Sequence, residues 1–265
     1  MSRAWIALYL RHELEVHWLC SALMVGVGCC VLFAELLLKA RAPYGRYASL
    51  RAASWYGPTI DARLAWAFQE SWSFTVPLVL CAMAEPTCLG SAPNVLLLAM
   101  FMGHYAYRST LYAARLRSST RMPVGLCVLA ASFCAFNGFV QGRMWTALAV
   151  RSADATFAAG CAVWLAGLGI NLHSDAILRA LRAPGESGYR VPRGGAFEFV
   201  SAANYFGEIV EWLGYALAAR TFGAAAFAFF TFANTAPRAH HHHAWYREKF
   251  EDYPANRRAL IPGLW

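Results

Sequence analysis

The sequence predicts an all-α integral membrane protein, a bundle of seven transmembrane helices with a cytosolic C-terminus. Three observations support this fold class. Of the 265 residues, 58% are hydrophobic and only 14% are charged, whereas soluble domains carry about 25% charged residues. The apolar residues gather in runs long enough to cross a bilayer, at about 20 residues per helix. The basic residues gather in the loops between those runs.

The first four predicted helices are apolar stretches separated by polar loops that contain proline. The first stretch follows a charged N-terminal segment, which lacks the form of a cleavable signal peptide. Pro43, Pro93 and Pro123 fall between predicted helices, where helix breakers belong. The predicted bounds are Val16–Leu38, Leu64–Met83, Val95–Arg115 and Val124–Val150.

The last three predicted helices follow the same pattern. Pro184 and Pro192 separate the fifth from the sixth, and Pro237 lies inside the seventh, where a membrane helix tolerates it. The predicted bounds are Ala153–Ala180, Phe197–Arg220 and Phe222–Tyr246. No linker or low-complexity tract interrupts the chain, so residues 1–265 are predicted to form one membrane-embedded domain.

The distribution of lysine and arginine predicts the orientation of the helices. With seven crossings, the first, third and fifth loops share one side with the C-terminal region, and most of the 23 basic residues fall there. The positive-inside rule then places the C-terminus in the cytosol. No basic helix stands outside the membrane, so we expect membrane lipids as partners and no nucleic acid. The membrane would be the endoplasmic reticulum in a eukaryote or the inner membrane in a bacterium; the oligomeric state stays open.

Polar side chains inside the predicted spans are the candidate functional residues, because ionisable groups are costly in a bilayer. Three groups of them share a helix face at spacings of three, four, seven or eight residues. They are Asn171 with Asp175, Asn204 with Glu208 and Glu211, and Arg238 with His242 and Tyr246. We expect these faces to line one polar cavity that opens to the cytosol, with interhelical hydrogen bonds and ion pairs as the alternative role.

Other polar residues lie in the middle of two predicted spans. Gln69 and Glu70 are in the second, and His104-Tyr105 is in the third. No G-x-G-x-x-G follows a strand and no P-loop motif is present, so the helix bundle itself would have to hold any dinucleotide. The run His240–His243 offers only one pair at helical spacing, so no metal site is predicted.

Several long, ordered motifs are similar to those of a known family. In the C-terminal half they are Gly167-Leu-Gly-Ile-Asn-Leu-His-Ser-Asp175, Tyr189-Arg-Val-Pro-Arg-Gly-Gly195, Asn204-Tyr-Phe-Gly-Glu-Ile-Val-Glu-Trp-Leu-Gly-Tyr215 and Phe250-Glu-Asp-Tyr-Pro254. In the N-terminal half, Tyr44-Gly-Arg46, Ala62-Arg-Leu-Ala-Trp-Ala-Phe-Gln-Glu70 and His104-Tyr105 fit the same pattern. On these motifs the chain resembles the steroid 5α-reductase family.

The resemblance implies a seven-helix enzyme that uses NADPH to reduce the C4=C5 double bond of a 3-oxo-Δ4 steroid. The family's catalytic residues fall on Gln69, Glu70 and Tyr105. Its cofactor contacts fall on Asn171, Asp175, Arg182, Tyr189, Asn204, Glu208, Arg238, His242 and Tyr246, with Tyr44 and Arg46 as further candidates. Trp66 and Phe206 are candidates for the wall of a steroid slot, and packing or lipid-facing positions are their alternative.

Reduction of an enone requires a hydride at the β-carbon and stabilisation of the charge that develops on the carbonyl oxygen. NADPH would supply the hydride, and the protein would supply orientation and electrostatics. Tyr105 can donate a hydrogen bond to that oxygen, and Glu70 in its protonated form can donate a second. Gln69 lies about 100° round the helix from Glu70, so we expect it to orient a neighbour.

Three other functions remain open at this point. A related integral membrane methyltransferase would use S-adenosylmethionine and would not need the buried Gln69, Glu70 and Tyr105. A receptor or transporter would not need polar faces crowded enough for a large anionic cofactor. A reductase of another lipid enone, such as a polyprenyl or sterol compound, would use the same residues.

Overall fold

The computed structural model describes residues 3–38, 55–116, 121–181 and 188–265. Seven long helices dominate this part of the chain. They are α1 (Arg3–Leu32), α2 (Ala62–Cys81), α4 (Ala92–Tyr107), α6 (Val124–Arg143), α7 (Ala155–Ala180), α8 (Ala203–Ala219) and α9 (Phe222–Lys249). Two short helices accompany them, α3 (Pro86–Leu89) and α5 (Ala113–Arg115).

Wide π-helical turns extend three of the long helices. They cover Phe33–Leu37 after α1, Arg108–Tyr112 between α4 and α5, and Met144–Leu148 after α6. Two three-residue strands, β1 (Thr59–Asp61) and β2 (Arg121–Pro123), pair antiparallel and join the start of α2 to the start of α6. All seven predicted helices are therefore present as helices, and the first begins earlier than predicted, at Arg3 rather than Val16.

The sixth helix begins later than predicted, at Ala203 rather than Phe197. Gly194 and Gly195 have φ values of 91° and 55°, and the chain then makes a short 3₁₀ helix over Gly195–Glu198. The backbone N–H of Ser201 donates to the carbonyl of Arg258 at 2.8 Å, so it is not available for a helix. Pairing with the C-terminal segment thus replaces the first turns of the predicted helix.

Within the described residues, three helices are long and apolar enough to cross a membrane: Arg11–Leu37, Val124–Leu148 and Ala155–Ala180. In the first of these, Trp18, Leu19 and Leu23 expose 60% or more of their surface. Large apolar side chains in such positions suit contact with lipid. The protein is therefore a helical membrane protein, and the seven crossings with a cytosolic C-terminus stay a prediction.

Glycines bring α7 and α8 into backbone contact. A Cβ atom added at Gly167 would lie less than 3.0 Å from the backbone nitrogen of Glu211, and one added at Gly207 would approach that of Asn171 equally closely. Gly160 and Gly214 face the partner helix in the same way. Small residues are how membrane helices pack closely. This contact sets the polar residues of α7 directly against those of α8.

The main core lies where α4, α8 and α9 meet. Phe101 of α4 packs against Trp212 and Tyr215 of α8 and Phe227 of α9, with ring centroids 5.9 to 6.2 Å apart. The Trp145 indole N–H donates to the Tyr215 hydroxyl at 3.0 Å. Aromatic pairs at these separations contribute about 0.5–1.5 kcal/mol each beyond burial. This core fixes the position of α4, which carries Tyr105, relative to α8 and α9.

Candidate active site

Helices α2 and α4 bring together the three predicted catalytic residues. Gln69, Glu70 and Tyr105 are all buried, with exposed fractions of 4%, 9% and 7%. Glu70 interacts electrostatically with Tyr105, and the phenol of Tyr105 interacts with the hydroxyl of Ser73, one turn further along α2. The Gln69 amide oxygen has no hydrogen-bond partner among the described residues.

The ring of Tyr105 is held by aromatic neighbours. It lies nearly parallel to Trp212, with centroids 5.9 Å apart and an interplanar angle of 23°. Phe101, one turn earlier on α4, approaches it at 4.9 Å. The hydroxyl end is therefore the part of Tyr105 that faces the polar residues of α2.

Arg108 lies at the centre of the site, at the start of the π-turn that follows α4. Its guanidinium lies 4.1 Å from the Tyr112 ring centroid and 4.9 Å from that of Trp66. It also forms an ion pair with Asp175 at 3.6 Å and interacts electrostatically with Glu70 and Glu208. The ion pair with Asp175 offsets buried charge that would be costly on either residue alone.

The contact between α7 and α8 builds a second polar group beside Arg108. The Asn171 side-chain amide donates to the main-chain carbonyl of Asn204 at 3.0 Å, and the Asn204 side chain hydrogen-bonds to Asp175. The Asn171 side-chain oxygen and the Ser174 hydroxyl are buried without hydrogen-bond partners in the described part of the chain. Since an unsatisfied buried polar atom costs about 1–3 kcal/mol, these atoms fit a polar ligand.

One further buried pair links α4 to α8. Nδ1 of His104 lies 2.7 Å from Oε1 of Glu211, with side-chain exposures of 3% and 0%. The His104 and Trp212 rings make a T-shaped contact, with centroids 4.8 Å apart. The pair therefore lies directly beside Tyr105.

The predicted cofactor residues of α9 lie further along the bundle. Arg238 and His242 both approach the ring of Tyr205, at 5.7 and 5.9 Å. Tyr246 is buried and stacks on Tyr253 at 5.5 Å with an interplanar angle of 6°. This part of α9 faces the N-terminal turn of α8, which carries Asn204 and Tyr205.

The remaining predicted residues divide into four cases. Tyr189 is 36% exposed, and its ring lies 5.0 Å from that of Trp245. Phe206 is half-buried and packs in apolar clusters with residues such as Val200 and Leu260. Trp66 lies at the site itself, against Arg108. Tyr44, Arg46 and Arg182 lie outside the described residues.

The sequence led to no specific role for several residues at the centre of the site, although His104 and Arg108, as ionisable groups within a predicted span, were already candidate functional residues. His104, Arg108 and Tyr112 follow one another at intervals of four, which puts them on one face of α4 and its extension. That spacing was a usable signal for Arg108 and Tyr112. Trp212 carried no such signal, because an aromatic residue in an apolar helix is usually core.

The fold and the site define a helical membrane protein with a buried, strongly charged site among α2, α4, α7 and α8. A family model described as "3-oxo-5-alpha-steroid 4-dehydrogenase" matches residues 120–265. The chain belongs to this family, whose members are oxidoreductases that act on a CH–CH group. The predicted family and the predicted enzyme class are therefore confirmed.

Relatives from mammals match along most of the chain. The bovine 3-oxo-5-alpha-steroid 4-dehydrogenase 1 is 48% identical over 246 residues, 91% of this chain and 93% of its own length. The human protein of the same name is 45% identical, covering 91% of this chain and 93% of its own length. The human 3-oxo-5-alpha-steroid 4-dehydrogenase 2 is 41% identical over 249 residues, 91% of this chain and 96% of its own length.

Proposed function

We propose that the protein reduces the C4=C5 double bond of a 3-oxo-Δ4 steroid to the 5α product, with NADPH as the hydride donor. The observation that carries the proposal is the burial of both Glu70 and Tyr105, two side chains that interact electrostatically with each other. The relatives whose names specify a 3-oxo-5-alpha-steroid support the substrate class.

The chemical role of Glu70 and Tyr105 is to bind the substrate's 3-keto oxygen. Protonated Glu70 donates one hydrogen bond to it and Tyr105 donates another. Both donors are held in place before reaction, so they stabilise negative charge as it develops on that oxygen. Gln69, next to Glu70, orients Glu70 and Tyr105. Trp66 forms part of the wall of the steroid slot.

The cofactor supplies a hydride when it is bound. The Asn171 oxygen and the Ser174 hydroxyl, buried and without a hydrogen-bond partner in the described part of the chain, support a polar ligand at the contact between α7 and α8. Residues proposed to hold it are Asn171, Asp175, Asn204, Glu208, Tyr189, Arg238, His242 and Tyr246, together with Arg182, Tyr44 and Arg46 outside the described residues. Arg182 is proposed to recognise the 2′-phosphate that distinguishes NADPH from NADH.

The proposed topology has seven crossings and a cytosolic C-terminus, so that cofactor enters from the cytosol. The seven long helices and the basic residues of alternate loops support it. Substrate, being apolar, is proposed to reach Glu70 and Tyr105 within the bilayer.

The test is NADPH oxidation by detergent-purified protein with progesterone or testosterone, with products resolved by mass spectrometry. We expect a gain of two hydrogens with 5α stereochemistry, and we expect Glu70→Gln to abolish it. If NADPH binds but neither steroid reacts, the substrate is wrong and other lipid enones must be tried. If NADPH does not bind, the cofactor assignment is wrong.

A further inference from the structure

We infer that His104 and Glu211 form a positioning pair that fixes Tyr105 for hydrogen bonding to the substrate. The inference rests on the proposed function, in which Tyr105 is a donor. Neither His104 nor Glu211 is proposed to touch substrate or cofactor. Their effect passes through the neighbouring ring of Trp212.

A role in stability alone does not account for the burial of this pair. Its 2.7 Å hydrogen bond is fully enclosed, because His104 and Glu211 expose 3% and 0% of their side chains. Burying such a pair gives little net stability, since desolvation cancels much of the attraction. What a buried pair does supply is one fixed arrangement of the two helices that carry it, here α4 and α8.

The arrangement that the pair fixes is that of the Tyr105 ring. Trp212 directly follows Glu211 and lies nearly parallel to Tyr105, and the His104 ring makes a T-shaped contact with Trp212, with centroids 4.8 Å apart. Phe101 approaches the Tyr105 ring at 4.9 Å. Tyr105 is thereby held between an α8 aromatic and an α4 aromatic, and the His104–Glu211 bond sets the register of the two helices.

Tyr105 requires this support because the helix changes geometry just beyond it. The regular turns of α4 end at Tyr107, and the π-turn Arg108–Tyr112 follows. Such wide turns occur often at functional sites and leave the local backbone less regular. A displacement of about 1 Å in a reacting group can reduce turnover by about 10²-fold.

The experiment compares Glu211→Ala with Glu211→Gln, each in wild type and in Tyr105→Phe. The glutamine keeps an oxygen that accepts the His104 N–H, whereas alanine removes it. We expect Glu211→Ala to lower kcat about 10- to 100-fold, with unchanged steroid KM and NADPH binding, and we expect Glu211→Gln to retain most of kcat.

The Tyr105→Phe background separates positioning from general damage. Without the phenol there is nothing left to position, so Glu211→Ala should cost no further turnover there. An equal loss in both backgrounds would show a structural role and overturn the inference. So would unchanged kcat in Glu211→Ala, or an equal loss in Glu211→Gln. If Tyr105→Phe alone turns over normally, the proposed donor role fails instead.

A second pair of variants covers the case in which Glu211→Ala does not fold. The amide nitrogen of asparagine is as many bonds from Cα as Nδ1 of histidine, so His104→Asn can still donate to Glu211. We expect His104→Asn to retain more kcat than His104→Ala in wild type, and the two to be equal in Tyr105→Phe. Equal kcat of the two variants in wild type would contradict the positioning role.

Discussion

The guanidinium of Arg108 lies 3.6 Å from the carboxylate of Asp175, which joins α4 to α7 at the centre of the site. Through this ion pair the residues around Tyr105 and those at the contact of α7 with α8 form one charged group. Arg108 also interacts electrostatically with the acidic side chains of Glu70 and Glu208.

Replacing Arg108 should therefore destabilise the whole site. In Arg108→Gln the Asp175 carboxylate loses its buried counter-ion, and breaking such a pair typically costs about 3–5 kcal/mol. We expect a lower thermal unfolding temperature and weaker NADPH binding, measured on detergent-purified protein. Arg11→Gln is the control, because Arg11 is 80% exposed in its pair with Glu15 and such pairs contribute about 0–1 kcal/mol. Equal stability of the two variants would show that Arg108 is not the counter-ion.

Gly207→Ala should disrupt the contact between α7 and α8. The new Cβ atom would lie less than 3.0 Å from the backbone nitrogen of Asn171, so the two helices must separate. We expect loss of NADPH binding and a lower unfolding temperature. Gly169→Ala is the matched control, because nothing lies within 4 Å of a Cβ atom there. NADPH binding by Gly207→Ala equal to that of Gly169→Ala would rule out this contact as part of the cofactor site.

The helices could be predicted from the sequence because membrane spans are recognisable by their length, their apolar composition and the basic residues at their ends. The start of α8 could not. Phe197, Val200 and Ala202 continue an apolar pattern that suggests a helix. Their neighbours instead form hydrogen bonds with the C-terminal segment, and local periodicity does not reveal such long-range pairing.

The site shows the same division. Asn171 with Asp175 and Asn204 with Glu208 were found from spacing along single helices. The contacts between helices could not be found in this way. The hydrogen bond of His104 to Glu211 and the stacking of Tyr105 on Trp212 each join residues 107 apart in sequence. Such pairs depend on how α4 and α8 pack against each other, which spacing along a single helix does not reveal.

Asp154 gives a pH-dependent prediction outside the membrane spans. It caps the N-terminus of α7, and hydrogen bonds from Arg151 and from the Phe157 backbone lower the pKa of its carboxyl to about 2. A lowered pKa contributes stability above the unfolded value of about 3.9, and that contribution is lost as pH falls through about 2.

Asp154→Asn tests this, because it keeps an oxygen for the cap and removes the charge. We expect the wild type to unfold at higher temperature than the variant above about pH 4 and the two to converge as the pH falls towards 2. A difference that stays constant down to pH 2 would mean that the charge of Asp154 is not responsible.

Arg182→Ala should weaken NADPH binding more than NADH binding. Arginine suits a phosphate because its guanidinium donates several hydrogen bonds and stays charged. NADH lacks the 2′-phosphate, so its binding should weaken less than that of NADPH. Dissociation constants for both cofactors in wild type and variant are the measurement, with Arg190→Ala as a neighbouring basic control. An equal loss for the two cofactors would argue against a role in 2′-phosphate recognition.

Tyr105→Phe should separate chemistry from binding. The substitution removes only the hydroxyl, so the stacking on Trp212 and the packing against Phe101 persist. Loss of one preorganised donor typically lowers kcat about 10²- to 10³-fold. We expect a loss of this size in steroid turnover, measured by mass spectrometry of the product, with an unchanged dissociation constant for NADPH.

Tyr107→Phe is the control for Tyr105→Phe. Tyr107 lies two residues further along α4, about 200° round the helix, and its ring approaches Tyr112 at 6.5 Å. It should therefore lose no more than a few-fold in kcat. Near-normal turnover in Tyr105→Phe would remove the phenol from the reaction, whereas a collapse in both variants would point to damage to α4. Only a loss confined to Tyr105→Phe assigns the donated hydrogen bond to this residue.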